Sequence, residues 1–180
     1  KILNFEKSEA KLSDFKNKIV ILDFWATWCV PCIQSFPHLE ALQSTFPADV
    51  QVMTVASDPE ARITRFLDNR AMKLPVVIDE KNALAKIFPH GTIPHTVVID
   101  KSGTVQVIAT PSDITEETIR KILSGQAVNI AEKDDVKNFD FSLPLSGNEN
   151  FTYQITITPY NKNYATYSDD NGGEAPYTGR

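Results

Sequence analysis

The stretch KIVILDFWATWCVPC, Lys18 to Cys32, changes its periodicity partway and so sets the local architecture. Lys18 to Phe24 form an apolar, β-branched run suited to a strand buried on both faces, as in a parallel sheet flanked by helices. Immediately after the second cysteine, Ile33, Phe36, Leu39, Leu42 and Phe46 recur at intervals of three and four, making one apolar stripe on a helix. The order is strand, tight turn, helix, and Cys29 and Cys32, the two cysteines of the chain, stand at the junction. Pro37 lies inside that helix and removes the hydrogen bond to the carbonyl of Ile33, so a kink is expected there.

Working outward, VQVMTVAS (50–57) reads as a second buried strand. SDPEARITRFLDN then starts a helix, with Ser57 and Glu60 at capping-box spacing, Pro59 in the first turn, and Ile63, Phe66 and Leu67 on its apolar stripe. A short strand PVVID and a short helix around Asn82 to Phe88 follow. HTVVIDKSGTVQVIAT has the form of an antiparallel hairpin, its turn carrying Gly103 for a positive φ. Asp113 and Glu116 introduce a last helix bearing Ile114, Ile119, Ile122 and Leu123 and closed by Gly125. The predicted class is α/β, a sandwich of parallel strands with an antiparallel edge. It spans residues 1–126, and residues 127–180 form a C-terminal extension, partly ordered or a truncated module. In that extension FTYQITITPY alternates as one strand would, and the polar, Gly-rich final 20 residues read as disordered or as a module cut short.

The 180 residues carry 23 acidic against 18 basic side chains, a formal charge of −5, which supplies no positive field for a nucleic-acid backbone. No stretch of about 18 apolar residues could span a bilayer. The sequence starts at Lys1 with neither a methionine nor an apolar signal core, which leads to the expectation of a processed chain or one whose targeting segment has been removed.

The cysteine pair admits three readings. As a structural staple it closes a ring so short that little unfolded-chain entropy is lost, roughly 2 kcal/mol against about 4.7 for a hundred-residue loop. As a zinc site it lacks ligands, since only His38, His90 and His95 accompany it, although a two-thiolate Cu(I) site stays open. As a redox pair it fits its context. A helix beginning at the first cysteine aims unpaired N–H groups and a positive dipole end at Cys29, stabilising the thiolate, while Cys32 sits one turn on. Cys29 is then the attacking nucleophile and Cys32 the resolving thiol.

These residues resemble the thioredoxin superfamily, and within it the TlpA/ResA-like thiol-disulfide oxidoreductases. The resemblance rests on FWATWCVPC after a buried strand, on TIP at Thr92 to Pro94 before HTVVID, and on the IDKSG hairpin, and it covers residues 1–126. It implies a thioredoxin fold, a central mixed sheet with helices on both faces. It also implies a cis Pro94 packed against the active-site disulfide, presenting the backbone of Ile93 edge-on to an extended substrate. Trp28 is expected beside Cys29 as an exposed contact surface, and Trp25 nearer the core.

Asp23 is a carboxylate inside an apolar strand, where desolvation raises its pKa unless it is paired, a property useful to a proton acceptor near Cys32. Thioredoxins carry an aspartate at the matching position. TlpA/ResA-like proteins often place a glutamate three residues after the second cysteine, where this chain has Ser35, so Asp23 is expected to take over that task. His38, His90 and His95 receive no role, and EKDD at 132–135 reads as solvated surface. The expectation is therefore an exported, membrane-anchored disulfide reductase of the bacterial envelope, periplasmic or extracytoplasmic, acting as a monomer. It would exchange dithiols with protein substrates, be recharged by an upstream membrane electron donor, and need no metal or organic cofactor. The rival readings are a Cu(I)-carrying assembly factor and a non-catalytic binding module.

Overall fold

The structure, a computed structural model, describes residues 1–131 and Lys133. The alternating segment FTYQITITPY, the polar final stretch and the remainder of the EKDD run lie outside the described residues.

At the centre is β2 (Ile19–Trp25), every residue of which is buried. It pairs in parallel with β3 (Val50–Ala56), from Ile19 opposite Val50 to Trp25 opposite Ala56, and antiparallel with β5 (His95–Ile99). β4 (Val76–Ile78) extends the sheet in parallel beyond β3, and β6 (Val105–Ala109) pairs antiparallel with β5. In the β5–β6 turn Gly103 takes φ 87°, and the Asp100 carboxylate accepts from the amides of Ser102 and Thr104 at 2.8 and 3.0 Å. A two-residue strand unannounced by any periodicity, β1 (Ile2–Leu3), runs antiparallel to β4 and completes a mixed sheet of six strands in the order β1-β4-β3-β2-β5-β6. Antiparallel pairing is thus found at both edges rather than one, and β5 lies inside the sheet.

Alternation along the strands divides the core into two layers. Ile19, Ile21 and Trp25 of β2, with Val50 and Val52 of β3, face α1 (Val30–Thr45), which buries Cys32, Phe36, Leu39 and Leu42 against them. Ile63 of α2 (Glu60–Asp68) and Ile119 and Ile122 of α4 (Glu116–Leu123) join that layer. On the other side Val20, Leu22 and Phe24 pack with Phe88, which follows α3 (Ala83–Ile87), and with Phe5 and Phe15. The expected stripe on α1 is therefore the buried face, and the helix runs unbroken through Pro37.

The starts predicted for α2 and α4 both shift. Ser57 and Glu60 form no capping box: Pro59 stands at the N-cap, the Glu60 amide donates to Glu80 Oε1 at 2.6 Å, and the neighbouring Asp58 carboxylate is drawn to another element. Likewise α4 is capped by Thr115, whose Oγ1 accepts from the Thr118 amide at 3.2 Å, whereas Asp113 closes a preceding 3-10 turn by accepting from Thr110. Beyond Gly125, at φ 70°, the chain turns back, and Val128 and Ile130 pack against the α1 layer.

Candidate active site

The junction of β2 and α1 is built by backbone geometry. Cys29 is the N-cap of α1, its own amide bonded to Ala26 O at 3.0 Å and its carbonyl accepting from Ile33 at 3.1 Å. Pro31, in the first turn, has no N–H, so the amides of Val30 and Cys32 are the donors that a helix start leaves without an intrahelical partner. Cys29 and Cys32 are joined in a disulfide with their Cα atoms 5.3 Å apart. Cys29 keeps 4% exposure and Cys32 none, while Trp28 beside them is 69% exposed and Trp25 is buried with Phe36 edge-on at 5.0 Å. Access is therefore from the Trp28 side, toward Cys29.

Asp23 follows the same alternation as Ile21 and Trp25, which places it on the sheet face that α1 covers. Its neighbours in register are Thr54 on β3 and Thr96 on β5, so a polar row crosses an otherwise apolar face. The Thr54 hydroxyl is spent on Pro75 O at 2.9 Å, and the Thr96 hydroxyl donates to Asp23 Oδ1 at 2.8 Å. Asp23 is fully buried, and among the described residues its Oδ2 has no hydrogen-bond partner. Burial pushes its carboxyl up from 3.8 to about 7, against the opposing pull of the Thr96 hydroxyl and the charge of Lys133. A carboxyl so placed changes protonation near neutrality, which a group that receives and returns a proton requires.

On the opposite side of the junction Ile93 and Pro94 are half-buried, Ile93 touching both core layers, and the bond between them is cis. The Lys133 ammonium donates to the carbonyl of Thr92 at 2.5 Å, so the chain following α4 reaches back to this loop. His95, next to Pro94, faces the other layer, where it stacks on His90 at 4.5 Å and meets Phe24 at 5.6 Å. His38 points elsewhere, its Nε2 against Ile114 O at 2.8 Å. Among the described residues no cluster of three or more histidine, cysteine or acidic side chains is arranged to hold a metal ion.

Thr96, Lys133 and Asp58, whose carboxylate accepts from the amide of Thr27 in the turn before Cys29, belong to this neighbourhood and escaped the sequence reading. Thr96 was detectable as a polar residue on the inward register of β5, and Lys133 was hidden in a charge run.

A family model described as the AhpC/TSA family matches residues 1–108. Over 124 residues the chain is 31% identical to the thiol-disulfide oxidoreductase ResA of Geobacillus thermodenitrificans, a match covering 68% of this chain and 71% of that protein. It is 34% identical over 126 residues to the thioredoxin-like protein YneN of Bacillus subtilis, covering 68% and 72% respectively. Among solved structures, an exposed lipoprotein thioredoxin of Streptococcus pneumoniae superposes with a TM-score of 0.56 at 29% identity, over 63% of this chain and 89% of that one.

Proposed function

The chain belongs to the AhpC/TSA family and, with its ResA relatives, is an oxidoreductase of the thiol-disulfide type; from that premise we propose that CVPC, Cys29 to Cys32, is its working site and that it reduces disulfides in proteins. The observation that carries the assignment is the pair of sulfurs at a helix N-terminus, one at the cap and one sealed a turn below it. In the reduced protein the Cys29 thiolate attacks a substrate disulfide, forming a bond to one substrate sulfur while the other leaves as a thiolate and takes a proton. Cys32 then gives its proton to the Asp23 carboxylate and attacks the Cys29 sulfur. The second substrate thiolate is released, and the protein is left with the Cys29–Cys32 disulfide. The substrate gains two electrons and the protein loses two. A dithiol donor must restore the protein, and we assign that task to an upstream membrane protein.

Trp28 offers an exposed apolar platform beside Cys29, and the Ile93–Pro94 loop offers backbone for an extended substrate to lie along. Protein thiols and disulfides are the proposed partners, no metal or organic cofactor takes part, and the enzyme acts as a monomer. The catalytic unit is residues 1–126, with the extension from 127 laid back on it at Val128 and Ile130. An exposed lipoprotein among its structural neighbours supports a tethered position outside the cytoplasm.

The test is capture. A Cys32→Ser variant retains the attacking sulfur but cannot resolve, so extracellular-side proteins should accumulate on Cys29 as mixed disulfides released by reductant. An empty trap, together with a Cys29 that titrates like an unperturbed thiol at about 8.5, would defeat the assignment.

A further inference from the structure

The turn that presents the nucleophile is tied down by a residue from outside it. The amide of Thr27, between buried Ala26 and exposed Trp28, donates to Asp58 Oδ2 at 2.7 Å. Asp58 lies in the connection from β3 to α2 and is only 8% exposed. Its other oxygen, Oδ1, accepts from Arg62 Nη1 at 3.2 Å, in the first turn of α2. Both oxygens of a nearly buried carboxylate are therefore committed, one to the active-site turn and one to the helix behind it.

Sheet register explains why this residue can reach. β2 and β3 end level, with Trp25 opposite Ala56, so the two connections leave the sheet side by side and Asp58 bridges them. An anionic acceptor at that distance makes a charge-assisted bond, and low solvent access keeps water from competing for it. With the Cys29 amide on Ala26 O and the Thr27 amide on Asp58, the backbone from Ala26 to Cys29 is held from within and from the neighbouring connection.

We propose that Asp58 is a positioning residue of the exchange site: by holding the Thr27 amide it fixes the turn from which Cys29 enters α1 and Trp28 stands outward. The proposal rests on Cys29 being the attacking sulfur. Its physical content is orientation. Only the Val30 and Cys32 amides are free to face a thiolate at this helix start, so their benefit depends on where the turn sets the Cys29 side chain. Charged groups with bonds at this end of the sheet include Asp58 and Arg62 from the β3–α2 side, Asp23 on β2, and Lys133, which donates to the Thr92 carbonyl; α2 also carries Glu60, Arg65 and Asp68, and α1 carries Glu40.

Asp58→Ala and Asp58→Asn both delete the negative charge, but only asparagine retains an acceptor for the Thr27 amide. The difference between the two therefore isolates the hydrogen bond from the charge. The measurement is the pH profile of iodoacetamide alkylation of Cys29 in a Cys32→Ser background, which reads the sulfur itself and needs no substrate. The alanine variant should titrate about half a pH unit above the asparagine variant, roughly a threefold slower reaction at any pH below both midpoints. Coincident profiles for the two variants would overturn the proposal. Should the alanine protein not fold, Asp58→Glu keeps the charge and misplaces the acceptor. Slower alkylation than the parent then supports the proposal, and an unchanged profile overturns it. An ordinary thiol midpoint in the parent would count against the exchange reading, whereas the alanine–asparagine difference would still decide this one.

Discussion

Replacing Asp23 by asparagine should make the protein more stable, and increasingly so as pH rises. The folded carboxyl titrates at about 7, pushed there by burial, against 3.8 for the unfolded chain. Because the folded value is the higher one, the native state binds the proton more tightly. The contribution of this carboxyl to stability is therefore greatest below pH 3.8 and falls through the window from 3.8 to about 7, where the unfolded chain has already ionised and the native state must follow. The two values lie about three pH units apart, and each unit is worth 1.36 kcal/mol, so the full penalty above pH 7 is about 4 kcal/mol. Between pH 5 and 8.5 roughly 3 kcal/mol of it develops.

Asparagine offers Thr96 the same acceptor geometry as Oδ1 and never ionises. Urea unfolding of the disulfide-intact parent and of Asp23→Asn across that range, compared as a difference, cancels every other titrating group. The gap between the proteins should widen in favour of asparagine by about 3 kcal/mol from pH 5 to 8.5. Parallel stability profiles would refute the reasoning, because they would mean that Asp23 titrates in the folded protein as it does in the unfolded one. The destabilisation has a functional counterpart under the proposed mechanism: a carboxylate costly to ionise is one that readily accepts the Cys32 proton.

Two further outcomes follow from the same neighbourhood. Lys133→Met removes the positive charge that opposes the effect of burial, so the inflection due to Asp23 in the stability profile should move to still higher pH; an inflection that stays in place would show that Lys133 does not act on Asp23. A helix start with Pro31 in place of a donor, a nearly buried Cys29 and no basic side chain in its first turn stabilises a thiolate only moderately, so equilibration with glutathione buffers should return a reducing couple, and a strongly oxidising equilibrium would contradict the direction proposed.

The parts of the molecule that were legible in the sequence are those in which one local rule acts alone. The IVILDFW run is apolar because β2 is covered on both faces, and the stripe from Phe36 to Leu42 is the face α1 buries, so periodicity led directly to both elements and to the cysteines between them. Asp23 could be singled out for a related reason: a carboxylate in that run breaks the pattern, and register places it on the α1 side. Where two rules competed, the local one lost. Ser57 and Glu60 have capping-box spacing, but the carboxylate between them is nearly buried and serves Thr27, thirty-one residues earlier in sequence, and the helix starts behind a proline instead.

That failure and the active site have a common origin. Between parallel strands the ends are brought together by crossovers of a dozen or more residues, so the residues that brace a loop at one strand end come from the next connection and carry no fixed spacing to it. Asp58 beside Thr27 is of this kind, while Thr96 meets Asp23 across the antiparallel β2–β5 pair and Lys133 reaches the carbonyl of Thr92 from the chain beyond α4; the three contacts join residues 31, 73 and 41 apart. A reacting sulfur can be found from a motif, because its chemistry needs neighbours one helical turn apart. The groups proposed to aim it and to move its proton need only be neighbours in space. For each of them the sequence offers at most an anomaly, a buried acid or an inward-facing threonine, and the sheet register turns that anomaly into a partner.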